Sequence, residues 1–248
     1  MLSANRENDM LGFLILGFFL GMRHALEADH LAAVGALASS RRTSGKGLAF
    51  LGASWGMGHT TTLFLLSLPV VVFGYVLSAR AYAGLEVAVG LMLIGLGLNV
   101  LRKMRRNRIH FHVHDHGTGP HLHAHSHAGS QLTHAQDPHT HAHGAFSLRA
   151  FSVGLMHGAA GSGALVALVA AATGSVWVAM EYVAIFGLGS VLGMGLLTWA
   201  ASWPLRLAES TAGRLFLAVQ LAVAGMAVWI GATHMAEFLP VLVGAGAS

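Results

Sequence analysis

The sequence contains no cysteine, and that absence removes disulfide scaffolds, thiolate metal sites, iron–sulfur ligation and dithiol electron relays together. Any metal must therefore be held by nitrogen, oxygen or methionine sulfur. Charge is scarce as well: Asp, Glu, Lys and Arg make up 10% of the 248 residues, against roughly 25% in an ordinary soluble domain. Proline is limited to 5 residues, whereas glycine supplies 32 and apolar residues 54% of the chain. This composition excludes a soluble enzyme of this length and describes a polytopic membrane protein, in which glycine lets neighbouring helices approach closely. The 14 Lys and Arg sit mostly in short clusters beside apolar runs, so they read as topology signals and not as contacts to nucleic acid. No Gly-x4-Gly-Lys-Ser/Thr segment is present to cradle a nucleotide phosphate.

A helix needs about 20 apolar residues to cross a bilayer. Six runs of that size occur, at 10–37, 48–77, 83–101, 150–173, 178–202 and 214–236. The expected fold is therefore all-α, with six transmembrane helices: residues 1–101 form one three-helix repeat, 102–149 a loop, and 150–248 a second three-helix repeat. The segments 38–47, 102–149 and 203–213 carry Arg41, Arg42, Lys46, Arg102, Lys103, Arg105, Arg106, Arg108, Arg149, Arg206 and, at the membrane edge, Arg214. The opposite side carries only Arg6 and Arg80. The positive-inside rule then puts those three segments in the cytoplasm and both termini outside a cytoplasmic membrane. A secretory signal peptide does not fit, because the start lacks net positive charge and the polar segment after Met22 runs on into further apolar sequence.

The two halves align at a nearly constant offset. Gly21-Met22-Arg23-His24 matches Gly154-Leu155-Met156-His157 at 133 residues, Ala53–His59 matches Ala184–Ser190 at 131, and Ala88–Leu91 matches Ala218–Leu221 at 130. Three spans per repeat is an odd number, so the second repeat is expected to insert upside down relative to the first. Inverted repeats place substrate sites near the bilayer midplane, often on broken helices.

The first apolar run is interrupted by Arg23-His24-Ala25-Leu26-Glu27-Ala28-Asp29-His30. Ionisable residues at membrane depth cost a few kcal/mol and mark function. On an unbroken helix His24, Glu27 and His30 share a stripe of about 120°, with Asp29 on the adjoining face. The two imidazoles would then be separated by about 9 Å of rise, too far to clasp one ion. Either the helix unwinds here or the two serve successive sites, with Asp29 orienting an imidazole N–H. His59 lies between Gly58 and Thr60-Thr61-Thr62 in the second run, where glycine allows close approach and hydroxyls can satisfy opened backbone. His157 mirrors His24 without acidic neighbours and, with Ser162, either lines a pathway or packs. Met22, Met57 and Met156 read as core filler.

Residues 110–143 hold 12 histidines, including His110, His112, His114, His116, His121, His123, His125 and His127. With Gly, Pro, Ser and Thr between them, this stretch is expected to lack structure when metal-free. Its imidazoles suit divalent Ni, Co, Cu or Zn.

Arg23-His24-Ala25-Leu26-Glu27-Ala28-Asp29-His30-Leu31 resembles the His-x4-Asp-His signature of nickel/cobalt permeases, with Glu27 where many relatives carry Asp. Gly58-His59-Thr60-Thr61 resembles the second motif of that family, and Gly154–Leu165 is similar to the matching stretch of urease-accessory transmembrane and NicO-type proteins. The resemblance covers about 200 residues. It implies a non-enzymatic permease that carries Ni²⁺ or Co²⁺ as substrate, with His24, Asp29, His30 and His59 in the selectivity site, no prosthetic group, and a urease or hydrogenase metal-delivery system as recipient. The better-known permeases have eight spans with the signature in the second. Related six-span exporters tend towards His-Ala-x-Glu-Pro-Gly-His, where this chain has Ala28-Asp29 in place of Pro-Gly, which favours uptake. A membrane metalloenzyme would need several ligands around one metal with an open position, and only five histidines lie outside the loop.

Overall fold

The computed structural model describes residues 2–39, 45–75, 77–106, 110–114, 121–125, 146–160, 173–211 and 213–244. Its helices are α1 (Leu2–His24), α2 (Ala28–Ser39), α3 (Gly45–Phe73), α4 (Ala79–Arg106), α5 (Leu148–His157), α6 (Val176–Thr211) and α7 (Gly213–Val243). Lipid cannot satisfy backbone polar groups, so apolar segments of this length resolve into helices. Four are long and apolar enough to cross a membrane without a break: α3, α4, and the stretches Val176–Trp203 of α6 and Leu217–Val243 of α7. Met10–His24 and Ala28–Ala38 form a fifth span if counted together, bent by 54° at the break. The protein is thus a helical integral membrane protein with four to five candidate spans among the described residues. Of the expected span at 150–173, residues 161–172 lie outside the described part, so six spans are not counted here. Large apolar side chains such as Phe19, Leu65, Phe73, Trp177, Trp203 and Trp229 point outward, as a lipid-facing surface requires.

The interior is built from helix pairs in close approach. α3 packs along α6 and α4 along α7, while α1 lies on α6 and α5 on α3. A side-chain carbon at Gly21 of α1 would run into the carbonyl of Phe186 and the amide of Ser190 on α6. One at Gly154 of α5 would run into the carbonyl of Trp55 and the amide of His59 on α3. The reverse contacts also match: Gly189 meets Phe18 and Met22, and Gly58 meets Phe151 and Leu155. The α1–α6 and α3–α5 crossings therefore use corresponding residues of the two halves. Within the α4–α7 pair, Gly90 and Gly231 each sit against the other's carbonyl.

Ser147 caps α5 by accepting from the Ala150 amide, and its own amide donates to Ser54 Oγ on α3 at 3.1 Å. In the histidine-rich segment two short strands pair antiparallel, β1 (His110–His114) and β2 (His121–His125), in the register His110↔His125, His112↔His123 and His114↔His121. Residues 107–109, 115–120 and 126–145, on which most of the expected structureless segment falls, lie outside the described part. The strict alternation of His with Phe111 and Val113, then with Leu122 and Ala124, has the period of a strand. His116 and His127 lie outside the described residues.

Gly154→Leu should lower stability by about 1–3 kcal/mol, as overpacking does, because the Trp55 backbone leaves no room for a side chain. Gly12→Ala, which meets nothing within 4 Å, should be neutral. Thermal unfolding in detergent distinguishes the two.

Candidate metal centre

The helix breaks directly after His24. Leu26 N–H donates to the Arg23 carbonyl at 2.8 Å and Glu27 N–H to the His24 carbonyl at 3.1 Å, and α2 starts at Ala28. This tight turn removes the 9 Å separation expected of a continuous helix. His24, at the end of α1, and His30, in the first turn of α2, now have ring centroids 4.4 Å apart. α5 stops in the same way after His157, with Gly158, Ala159 and Ala160 in a turn.

α3 supplies the third ring. His59 is fully buried, its Nε2 lies 3.2 Å from His24 Nε2, and its ring centroid is 5.2 Å from that of His30. Ligand atoms of His24, His30 and His59 all fall within 4.8 Å of one another. A second such group is Asp29, His30 and His157. Trp55 closes one side of the cluster against His30 and His157, and Phe186 packs against His24.

The hydrogen bonds assign different tasks to the two groups. Glu27 Oε1 lies 2.9 Å from His24 Nδ1, and Asp29 Oδ1 lies 2.8 Å from His30 Nδ1. Each carboxylate holds the proton on the nitrogen facing it, which leaves the lone pair of the other nitrogen directed away, the arrangement by which carboxylates orient metal-binding imidazoles. His30 Nε2 is buried with no partner among the described residues. With Nε2 of His24 an acceptor, the His24–His59 bond takes its proton from His59, and His59 Nδ1 is likewise buried without a partner. Three imidazoles with unspent or displaceable nitrogens are a donor set for a first-row divalent ion. Asp29, His30 and His157 are joined by hydrogen bonds among themselves, Asp29 Oδ2 accepting from His157 Nε2 at 3.0 Å, while His157 Nδ1 is buried without a partner among the described residues. That chain spans α2 and α5 and locks the rings in place.

Asp29 also accepts from the His30 backbone amide at 2.8 Å and sits in the first turn of α2, where the helix dipole favours negative charge. Its side chain is 21% exposed and that of Glu27 57%, while His24, His30, His59 and His157 are all buried. The open side of the cluster is therefore its acidic side. Met57 and Met156 are exposed, so they fill no part of the core, contrary to the sequence reading. Ser162 lies outside the described residues.

The sequence pattern singled out His24, Glu27, Asp29, His30 and His59, and the fold brings all five together. His157, for which no acidic partner was evident in the sequence, gains Asp29 across 128 residues. A separate polar pair was not anticipated: Glu86 of α4 is buried and lies 3.1 Å from His234 Nδ1 of α7. Its only signal in the sequence was the presence of two ionisable residues inside apolar runs. Glu181, in a comparable position on α6, is exposed.

Residues 10–239 match the NicO family, described as high-affinity nickel-transport protein. The chain is 31% identical over 188 residues to a urease accessory protein, UreH, of Bacillus sp., covering 75% of this chain and 74% of that protein. It is 33% identical over 87 residues to a high-affinity nickel transport protein of Cupriavidus necator, covering 35% and 25% of the two chains. Against the cobalt transport protein NhlF of Rhodococcus rhodochrous, identity is 31% over 106 residues, or 38% and 30%. No solved structure matches.

Asp29→Asn keeps the side chain's size but removes the charge that orients two imidazoles. Isothermal titration of the purified protein with Ni²⁺ should show affinity reduced about 10–100-fold, the usual cost of losing such a partner. An unchanged Kd would take Asp29 out of that role.

Proposed function

The chain belongs to the NicO family of high-affinity nickel-transport proteins, a family of transporters and not of enzymes, and from that premise we propose that it is a permease for uptake of Ni²⁺, with Co²⁺ as the alternative cargo. The observation that carries this reading is the convergence of His24, His30 and His59 within 4.8 Å, backed by Glu27 and Asp29. An arriving ion meets the exposed Glu27 and Asp29 carboxylates first, and their charge offsets part of the cost of shedding water. It then takes Nε2 of His24 and His30, and the proton that His59 shares with His24 shifts to His59 Nδ1, so that a still neutral His59 can offer its Nε2, since an imidazole binds metal in its neutral form. His30 belongs to both candidate groups, so a small rotation of its ring, with release of Asp29, would hand the ion towards His157.

Two inverted repeats are supported by the exchanged glycine contacts: Gly21 against Phe186 and Ser190 corresponds to Gly154 against Trp55 and His59, at the same offsets of 133 and 131. The helix breaks after His24 and after His157 fall at equivalent positions, as broken helices at a repeat interface do. With both termini outside, α2 leads from the centre to the cytoplasmic basic segment, and residues 102–149 receive the ion there. The histidines assigned to this second station are His110, His112, His114, His116, His121, His123, His125 and His127. A negative-inside potential favours inward movement of a divalent cation by about 4.6 kcal/mol per 100 mV. The similarity to a urease accessory protein supports delivery to a urease or another nickel enzyme.

Uptake of radioactive nickel by cells expressing the protein tests the reading. Wild type should raise accumulation, and His30→Ala should lower it at least about tenfold, because a direct ligand counts for more than an outer partner. Lowered accumulation with wild type would make the protein an exporter, and no effect would remove the transport reading. Deleting 110–143 should leave initial uptake within about twofold while reducing the nickel retained, since the proposed intramembrane ligands lie outside that segment. Loss of initial uptake on that deletion would place the loop in the transport path itself.

A further inference from the structure

The Glu86–His234 pair stands apart from the metal centre and takes no part in the mechanism above. Glu86 is 2% exposed and lies seven residues into α4, about 10 Å from the helix start. His234 lies nine residues before the end of α7, about 13 Å from that end. Tyr82, one turn from Glu86, hydrogen-bonds to the same carboxylate, and Phe238 packs against both Tyr82 and His234. An ionisable pair at membrane depth costs several kcal/mol unless it serves a purpose.

Holding α4 against α7 does not require it. One turn away, Gly90 and Gly231 already bring the two backbones into contact, the means by which membrane helices ordinarily adhere. Nor is it a transition-metal site, because the convergent groups of three His or carboxylate ligands among the described residues are those around His30. A carboxylate paired with an imidazole can instead hold one exchangeable proton. His234 is the open member, 26% exposed, with the exposed Glu237 one turn further towards the end of α7. The other titratable groups beside the pair are Tyr82 on α4, which hydrogen-bonds to Glu86, and the exposed Glu237 on α7, and α2, which opens on Ala28, Asp29 and His30, packs against both α4 and α7. Asp29 and His30 belong to the metal centre, so the helix that carries them joins the two sites by direct packing.

We propose that Glu86 and His234 form a proton site coupled to the metal centre, which gives up its proton as a divalent ion binds at His24, His30 and His59. The step is a simple transfer: the Nε2–H bond of the His234 imidazolium breaks, water at the open side takes the proton, and neutral His234 keeps its Nδ1–H donated to the Glu86 carboxylate. Binding of a doubly positive ion near Asp29 weakens proton affinity at His234, and by reciprocity protonation there weakens metal affinity. This rests on the nickel-transport reading.

The test is titration of the purified full chain with Ni²⁺ in buffers of different ionisation enthalpy, which yields the protons released per ion. Wild type should release roughly one proton more than His234→Gln, in addition to those displaced from the ligands themselves. Glu86→Gln provides a second variant and should also reduce the release. Both variants should bind Ni²⁺ within about threefold of wild type at high pH, where the site is empty of its proton. Equal proton release by wild type and both variants would overturn the inference, as would loss of nickel binding in a folded His234→Gln, which would make His234 a ligand. Failure of wild type itself to bind nickel would overturn the transport reading first.

Discussion

Asp29 carries a charge that the interior of a membrane protein does not accept unpaired, and the way that charge is held organises the middle of the molecule. One oxygen takes the amide and the ring of His30, and the other takes the ring of His157. The first pair of bonds needs α2 to begin at Ala28, which in turn needs the chain to leave α1 after His24. The last bond needs α5 to deliver His157 from the other half of the sequence. The break in the first span is thus a condition for pairing the carboxylate, and it also sets His24 and His30 side by side. A straight helix would satisfy its own backbone better but would leave Asp29 and both rings without these partners.

Small residues make that arrangement reachable. His157 meets Asp29 because α5 lies directly on α3, and α5 lies there because Gly154, Gly58 and Gly158 have no side chain to hold the backbones apart. The corresponding glycines Gly21 and Gly189 bring α1 onto α6, so both sides of the cluster are held by the same kind of contact. Without a hydrophobic force between helices in lipid, backbone proximity and interhelical hydrogen bonds supply the adhesion. Ser190 illustrates the division of labour between the halves. It stands where the first half has His59, and its hydroxyl donates to the Gly21 carbonyl at 3.2 Å, a structural bond in place of a ligand.

Much of this was legible from residue order alone. Spacing of apolar runs located helices, and the cost of ionisable groups in lipid singled out His24 to His30 and His59. What could not be read was the state of the segment between His24 and Ala28. Helical and broken conformations place His24 and His30 about 9 Å apart or in contact, and local propensity does not decide between them, since the deciding partner, His157, is 128 residues away. The same blindness hid the Glu86–His234 pair, whose members are separated by 148 residues.

Composition and order by themselves determined that this chain belongs in a membrane, that thiolate chemistry is closed to it, and that imidazoles and carboxylates interrupt its first apolar run. These follow from additive properties: transfer energy, charge count and periodicity are sums over neighbours in sequence. Which nitrogen of each imidazole is held by a carboxylate, and which His from the second half completes the cluster, were decided by tertiary structure. They depend on contacts between helices far apart in the chain, where a glycine or a single hydrogen bond fixes position to within an ångström, and no sum over local sequence contains that distance.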